Sequence, residues 1–390
     1  MSNVERAPQE RVCVNGPQVN GPQVNGPQVG GPQVGGTGGL RDGVAVADSG
    51  VEILEPREVP LGGPRAMTVR RTLPQRARSL VGAWCFLDFY GPDDVSASTP
   101  MRVPRHPHTG LATVSWLFSG RIDHLDSAGH WATVRPGELA LMNAGSGISH
   151  SEYSTEDTTV LHGAQLWFAF PQDHRFSEPS LAAYRPETVT GRGWEAKVFL
   201  GELLGSRSPV PTPLPLTGAE LRLEPGASLE LTIPADHEHG LLPVSGRVRV
   251  DGADVPADHL AVADVGRTAL RIDAGEEPVA ALLLGGLPLG ERIVMWWNFV
   301  GRSHEDIAAY RAAYQSEMGF EPPPAGSPLH RHLPEGEPLG APLSGELRDA
   351  LAGETYDDGR PFPQFGDFPR HTEPPLPAPA LPTTRMKPRG

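Results

Sequence analysis

Between Leu111 and Glu152 the chain alternates short apolar, β-branched runs with small polar turns. Leu111 to Phe118 is one run, stopped by Ser119-Gly120; Arg121 to Leu125 follows and ends at Asp126-Ser127-Ala128-Gly129. Trp131 to Val134 ends at Arg135-Pro136-Gly137, and Glu138 to Met142 ends at Asn143-Ala144-Gly145-Ser146-Gly147. Runs this short, with turn residues about every eight positions, predict the strands of an antiparallel sandwich or small barrel.

The pattern extends in both directions. Arg65 to Thr72 alternates loosely, Val81 to Tyr90 is densely apolar, and Thr159 to Phe170 is a long strand closed by Pro171. Trp194 to Phe299 holds a second set: Leu221 to Leu223, Ser228 to Ile233, Gly240 to Val250 and Thr268 to Ile272. Its turns are Pro225-Gly226, Ser245-Gly246 and Asp251-Gly252. We therefore expect two barrels, with Pro179 to Pro186 as the linker between them. After the second barrel the period changes. Ser303 is an N-cap candidate, Glu305 and Asp306 suit a first helical turn, and Ile307, Tyr310, Tyr314 and Met318 fall at helical spacing before Gly319.

Composition changes this picture at the two ends. The 390 residues contain 46 Gly and 43 Pro, nearly a quarter of the chain, and the excess is concentrated in the termini. Gly-Pro-Gln-Val occurs four times, beginning at Gly16, Gly21, Gly26 and Gly31; a five-residue period with Gly and Pro in each unit builds neither helix nor interior strand. We expect a disordered extension over 1–48, a first barrel over 49–185, a second barrel with its helix over 186–319, and a Pro/Gly-rich tail over 320–390. Phe362, Phe365 and Phe368 predict that this tail clips onto the body in part. A net charge of −14 disfavours nonspecific nucleic-acid binding, which needs basic patches. No apolar run of 18 residues and no signal-peptide core are visible, and the cysteines are only Cys13 and Cys85, so the expectation is a soluble cytoplasmic monomer with Cys85 in the core.

The candidate chemistry sits at the two ends of the first strand set. His106-Pro107-His108 precedes it and His150-Ser151-Glu152 closes it. On a strand, residues i and i+2 share a face, so two neighbouring strands facing one interior bring three imidazoles and a carboxylate together. Such a mixed nitrogen and oxygen set suits a first-row divalent metal and leaves open positions on an octahedral ion for water, dioxygen or a substrate oxygen. His237 and His239 repeat the spacing in the second barrel without a later partner pair, and two ligands hold a metal poorly. His330 and His332 lie in a Pro-rich stretch and are expected in a solvated loop. His124, His130 and His174 fall at turns or strand ends and are expected at the surface. His162 is expected as a structural histidine of the barrel wall. Gln165, three positions on, then faces the other side of a regular strand.

Several linked motifs carry a resemblance. His106-Pro107-His108-Thr109-Gly110, the Asp126-Ser127-Ala128-Gly129 turn, Arg135-Pro136-Gly137-Glu138 and Ala144-Gly145-Ser146-Gly147-Ile148-Ser149-His150-Ser151-Glu152 resemble the pirin family of the cupin superfamily. Leu161-His162-Gly163-Ala164-Gln165-Leu166-Trp167 and Met295-Trp296-Trp297-Asn298-Phe299 extend the likeness over roughly residues 50 to 318. The resemblance implies an all-β bicupin of two antiparallel jelly-roll barrels with a short helix. It also implies Fe(II) held by His106, His108, His150 and Glu152, with the second barrel degenerate. Two functions follow from it. One is a quercetin 2,3-dioxygenase-type enzyme acting on a flavonol or related phenolic, with Glu152 also accepting the substrate hydroxyl proton. The other is a non-enzymatic iron- or redox-responsive regulator that binds a partner protein.

Overall fold

The structure is a computed structural model that describes residues 11–13, 40–41, 44–61, 67–96, 100–333, 338–368 and 373–388. The Gly-Pro-Gln-Val repeats, and most of the extension expected to be disordered, lie outside the described residues.

The short apolar runs do form strands, and all their ladders are antiparallel. Seven of them make one sheet in the order Ser180–Tyr184, Leu139–Asn143, Leu111–Ser119, Val160–Ala169, Trp84–Asp94, Met67–Leu73, Arg57–Leu61. Four more, in the order Trp131–Val134, Ile122–Asp126, Ile148–Ser154, Arg102–His108, close the first barrel. The second barrel sets a nine-stranded sheet against a four-stranded one. Its core is the cluster around Leu221, Leu231, Ile272 and Leu283, with these side chains essentially inaccessible to water. The architecture is thus the all-β bicupin that the period-2 patterning and the motifs predicted.

Two boundaries differ from expectation. The stretch Pro179 to Pro186 is not a bare linker: Ser180–Tyr184 pairs with Leu139–Asn143 and extends the first barrel. In the other direction, Glu52–Leu54 pairs with Leu260–Ala263, so the chain crosses the second barrel's sheet before it builds the first barrel.

The barrels share one core. Trp116 stacks on Phe199 with ring centroids 4.5 Å apart and donates its indole N–H to Glu220 at 2.9 Å. The aromatic overlap and the satisfied indole serve the same contact, because a buried Trp needs a partner for its polar edge. Arg78, fully buried, binds Glu52, Glu238 and Asp264. Glu238 also accepts from the backbone N–H of Gly82 at 2.7 Å.

The helix forms where its caps predicted, over His304–Glu317, with the Ser303 side chain accepting from the Asp306 N–H and Gly319 at φ +77°. Among the described residues no helix is long and apolar enough to cross a membrane. His330 and His332 lie in a short helix, Pro328–His332, rather than in a loop. Ser327 caps it, and His332 pairs with Glu354 at 3.1 Å. The tail is tied down more fully than its composition implied: Phe362 and Phe365 are buried, and Phe368 lies under Arg105 with the guanidinium 4.7 Å from its ring. Cys85 is buried in the core as expected.

Candidate metal centre

His106 and His108 stand on Arg102–His108, the edge strand of the four-stranded sheet. An edge is where a strand tolerates Pro104 and Pro107, which lack an N–H for a ladder bond. The adjacent strand, Ile148–Ser154, runs antiparallel with His150 opposite His106. Directly opposed residues of an antiparallel pair share a face. The turn that delivers this strand uses Gly145 at φ +47°, and a Cβ there would lie 1.9 Å from the Ser177 carbonyl oxygen, so only glycine fits.

The next strand, Ile122–Asp126, completes the face. Its register sets His124 opposite Glu152 and Asp126 opposite His150. Ring centroids are 4.3 Å apart for His106 and His150, 5.1 Å for His106 and His108, and 5.0 Å for His108 and His150. Two overlapping groups each bring their ligand atoms within 4.8 Å of one another: His106, His108 and His150, and His124, His150 and Glu152. Glu152 therefore joins the cluster through His150 and His124 rather than standing equidistant from all three expected imidazoles. His124 is a correction to the sequence reading. It is buried inside the barrel, not placed at the surface. Its signal was present as a His-x-Asp pair at i, i+2, like the His-x-Glu of the ligand strand, on a strand whose burial alternates residue by residue.

Hydrogen bonds fix which ring nitrogens are bare. His106 Nδ1 lies 2.7 Å from the Pro104 carbonyl, which can only accept, so Nδ1 carries the proton and Nε2 is free. His124 Nε2 lies 3.1 Å from Asp126 Oδ2, which leaves His124 Nδ1 to accept from His150 Nδ1 at 3.3 Å. That leaves His150 Nε2 bare as well. His108 is oriented by packing: the edge of its ring meets Trp167, centroids 5.0 Å apart, and Trp167 stacks on Phe86 at 3.9 Å. The Nε2 atoms of His106, His108 and His150 are all buried without a hydrogen-bond partner. Three such lone pairs in one place are costly unless something electron-poor receives them, and a first-row metal ion fits the donor set.

Electrostatics keep the cluster ready for a cation. Burial pushes His106 down to about 4 and holds His108 and His150 well below the ordinary imidazole range, with neighbouring imidazoles adding to the effect. Neutral imidazoles are the ligand form. Burial works to raise the pKa of Asp126, but the hydrogen bonds from His124 and from the His130 backbone outweigh it and hold the carboxyl low. Asp126 also meets the half-buried His130 ring, so of the three expected surface histidines only His174 lies at the exposed surface.

The seven-stranded sheet supplies the opposite wall. Its register pairs Phe86 with Trp167, Asp88 with Gln165 and Tyr90 with Gly163. Asp88 is held by Arg71 through two bonds of 2.6 and 2.7 Å. The Gln165 carbonyl accepts from Ser115 at 2.8 Å, while its amide nitrogen, the Trp167 indole nitrogen and the Tyr90 hydroxyl are buried and lack partners. His162 faces the other way and packs against Phe89 and Phe118, as a wall histidine at a bulge in its ladder. The large described cavity, about 1370 Å³, is in the second barrel beside His237 and contains none of the cluster residues. His237 and His239 have ring centroids 6.1 Å apart, and neither belongs to a metal-capable group among the described residues.

Fold and cluster together define a bicupin with a metal-binding His/Glu site in its first barrel. Comparison with known proteins narrows the class. Residues 66–168 match the family model "Pirin" and residues 218–320 match "Pirin C-terminal cupin domain". A Pseudomonas aeruginosa protein named "Putative quercetin 2,3-dioxygenase" is 38% identical over 66% of this chain and 82% of its own length. A pirin-like protein of Caulobacter vibrioides is 36% identical over 64% and 88%. A crystal structure of quercetin 2,3-dioxygenase from Acinetobacter baumannii superposes with a TM-score of 0.70 at 29% identity, covering 86% of this chain and 98% of that one. The chain belongs to the pirin family.

Proposed function

We propose that the protein is an Fe(II)-dependent dioxygenase of flavonol-like or related phenolic substrates. The observation that carries this reading is the convergence of three bare, buried, unpartnered imidazole nitrogens on one interior that also presents an aromatic wall and unpartnered donors. His106, His108, His150 and Glu152 would hold the metal, with His124 supporting His150. An iron so held supplies open coordination positions and an accessible redox couple for dioxygen chemistry.

The remaining steps belong to the chain's own side chains. Trp167, held by its stack on Phe86 and lying against His108, is the aromatic ring beside which a substrate ring would pack. Gln165 Nε2, Trp167 Nε1 and the Tyr90 hydroxyl offer donors to substrate oxygens. Glu152 is suited to accept a phenolic proton. It is the buried carboxylate of the cluster, grouped with His124 and His150, which places it beside the metal-bound end of a substrate. Names of the relatives point the same way.

The test is oxygen uptake with carbon monoxide release when anaerobically Fe(II)-loaded protein meets a flavonol and air, with His150→Ala as control. Turnover by the wild type alone supports the dioxygenase. Full iron occupancy without turnover rejects it in favour of the iron-responsive regulator.

A further inference from the structure

The strand that carries His106 and His108 is an edge strand with two prolines, so its own ladder holds it weakly. The Pro/Gly-rich tail, which lies beyond both family-matched regions, supplies what the ladder lacks. The free carbonyl of Arg105 accepts from the Leu376 N–H at 2.8 Å and from the Tyr314 hydroxyl at 3.3 Å. On the face opposite the ligands, Arg105 and Ser149 meet each other and the tail. Arg105 Nε donates to Ser149 Oγ at 2.7 Å, Ser149 Oγ donates to the Phe365 carbonyl at 2.8 Å, and Arg105 Nη2 reaches the carbonyls of Phe365 and Gly366 at 3.1 and 2.7 Å. Arg105 immediately precedes His106, and Ser149 immediately precedes His150.

The tail is itself anchored. Glu317, buried at the end of the helix, accepts from the backbone N–H groups of Gln364 and Phe365 at 2.9 and 2.8 Å and from the Tyr356 hydroxyl at 2.7 Å. Phe365 is fully buried against Phe299 and Tyr314. Contact with the ligand-bearing turns is close: a Cβ on Gly147 would sit 2.6 Å from Gln364 Cγ, and one on Gly366 would sit 2.8 Å from the Ser127 carbonyl. Gln364 Nε2 also donates to the Ser146 carbonyl at 2.6 Å.

We infer that Arg105 and Ser149 are positioning residues for the metal centre, acting through the docked tail segments 362–368 and 373–378, which fix the spacing of the His106 and His150 strands from behind. The inference rests on the metal-centre reading. Binding of metal and docking of the tail are then coupled, and the coupling is reciprocal.

Two measurements on the full-length protein, with Co(II) as the spectroscopic probe, test it. In the wild type, loading Co(II) should slow amide hydrogen exchange at Gln364, Phe365 and Leu376, whose N–H groups make the docking bonds. Conversely, Ser149→Ala, which removes one hydroxyl, and Gln364→Ala should weaken Co(II) binding by about tenfold, the low end for lost outer-shell support, and shift the Co(II) ligand-field bands. Ser149→Thr, which keeps the hydroxyl, should restore both. Unchanged exchange in the wild type, or unaltered Co(II) affinity and bands in the two alanine variants, would overturn the coupling. A wild type that takes up no Co(II) would overturn the metal centre and the coupling together, a result distinct from absence of flavonol turnover.

Discussion

His124 Nδ1 lies 3.3 Å from His150 Nδ1, and the far side of the His124 ring is held by Asp126. A second imidazole backed by a carboxylate thus stands where metal sites usually place a carboxylate or carbonyl directly behind a ligand histidine. Their effect is to fix the His150 tautomer with Nε2 facing the cluster. Replacing His124 by Phe keeps the ring packing and removes the acceptor, and Asp126→Asn removes the charge that orients it. Each should weaken divalent-metal binding by about 10- to 100-fold without unfolding the barrel, as read by metal titration alongside circular dichroism.

Removing a ligand is a harsher change. His150→Ala deletes the residue shared by both ligand groups, so purified protein should retain essentially no stoichiometric metal by elemental analysis. His237→Ala should retain it fully. The second barrel offers only His237 and His239 at this spacing, and neither joins a third ligand among the described residues. Loss of metal in His237→Ala would show that the second barrel holds the ion after all.

The first barrel's strands and the face that gathers His106, His108, His150 and Glu152 were legible because both depend on a period of two, which local sequence displays directly. His124 was misplaced because two of the three residues on its buried face, His124 and Asp126, are polar and read as a surface; their i, i+2 spacing marks a shared face, but which interior that face meets is shown by the pairing of His124 with Glu152. The strand at Ser180–Tyr184 was hidden by its flanking prolines and by partly exposed side chains, which look like a linker. Helical caps at Ser303 and Gly319 were readable as local chemistry. What Phe365 packs against was not, since Phe299 and Tyr314 lie some fifty or more positions earlier in the chain.

Acid should destabilise the protein through its second barrel as well as its first. His239 is almost fully buried with its ring against Gly285, where a Cβ would lie 2.6 Å away, and burial lowers its pKa from 6.5 to about 4. Above pH 6.5 the ring is neutral in folded and unfolded chains and adds no pH dependence. Between pH 6.5 and about 4 the unfolded chain binds a proton that the folded chain refuses, so stability falls as pH falls; below that it levels off. The full step is about 3 kcal/mol. Denaturant unfolding of metal-free His239→Gln should therefore depend less steeply on pH in this window than the wild type does. Equal slopes would remove His239 from the account.

Arg78 is the largest single electrostatic commitment between the barrels. It reaches Glu52 at 2.6 Å and Glu238 at 3.2 Å, both almost fully buried, and it also pairs with the half-exposed Asp264. Burial of the guanidinium works against its charge, but the surrounding carboxylates outweigh that and raise its pKa. The consequence is asymmetric. Removing Arg78 strands two carboxylates inside the protein, which costs about 3–5 kcal/mol, whereas losing the exposed partner in Asp264→Asn should cost about 1 kcal/mol or less. Arg78→Met, which keeps much of the stem's volume, should fall close to Arg78→Ala in denaturant unfolding, because the lost charge rather than the lost packing sets the cost. If Arg78→Met were instead as stable as the wild type, Glu52 and Glu238 must take up protons at little expense. Its stability would then rise toward acid pH, opposite to the trend set by His239.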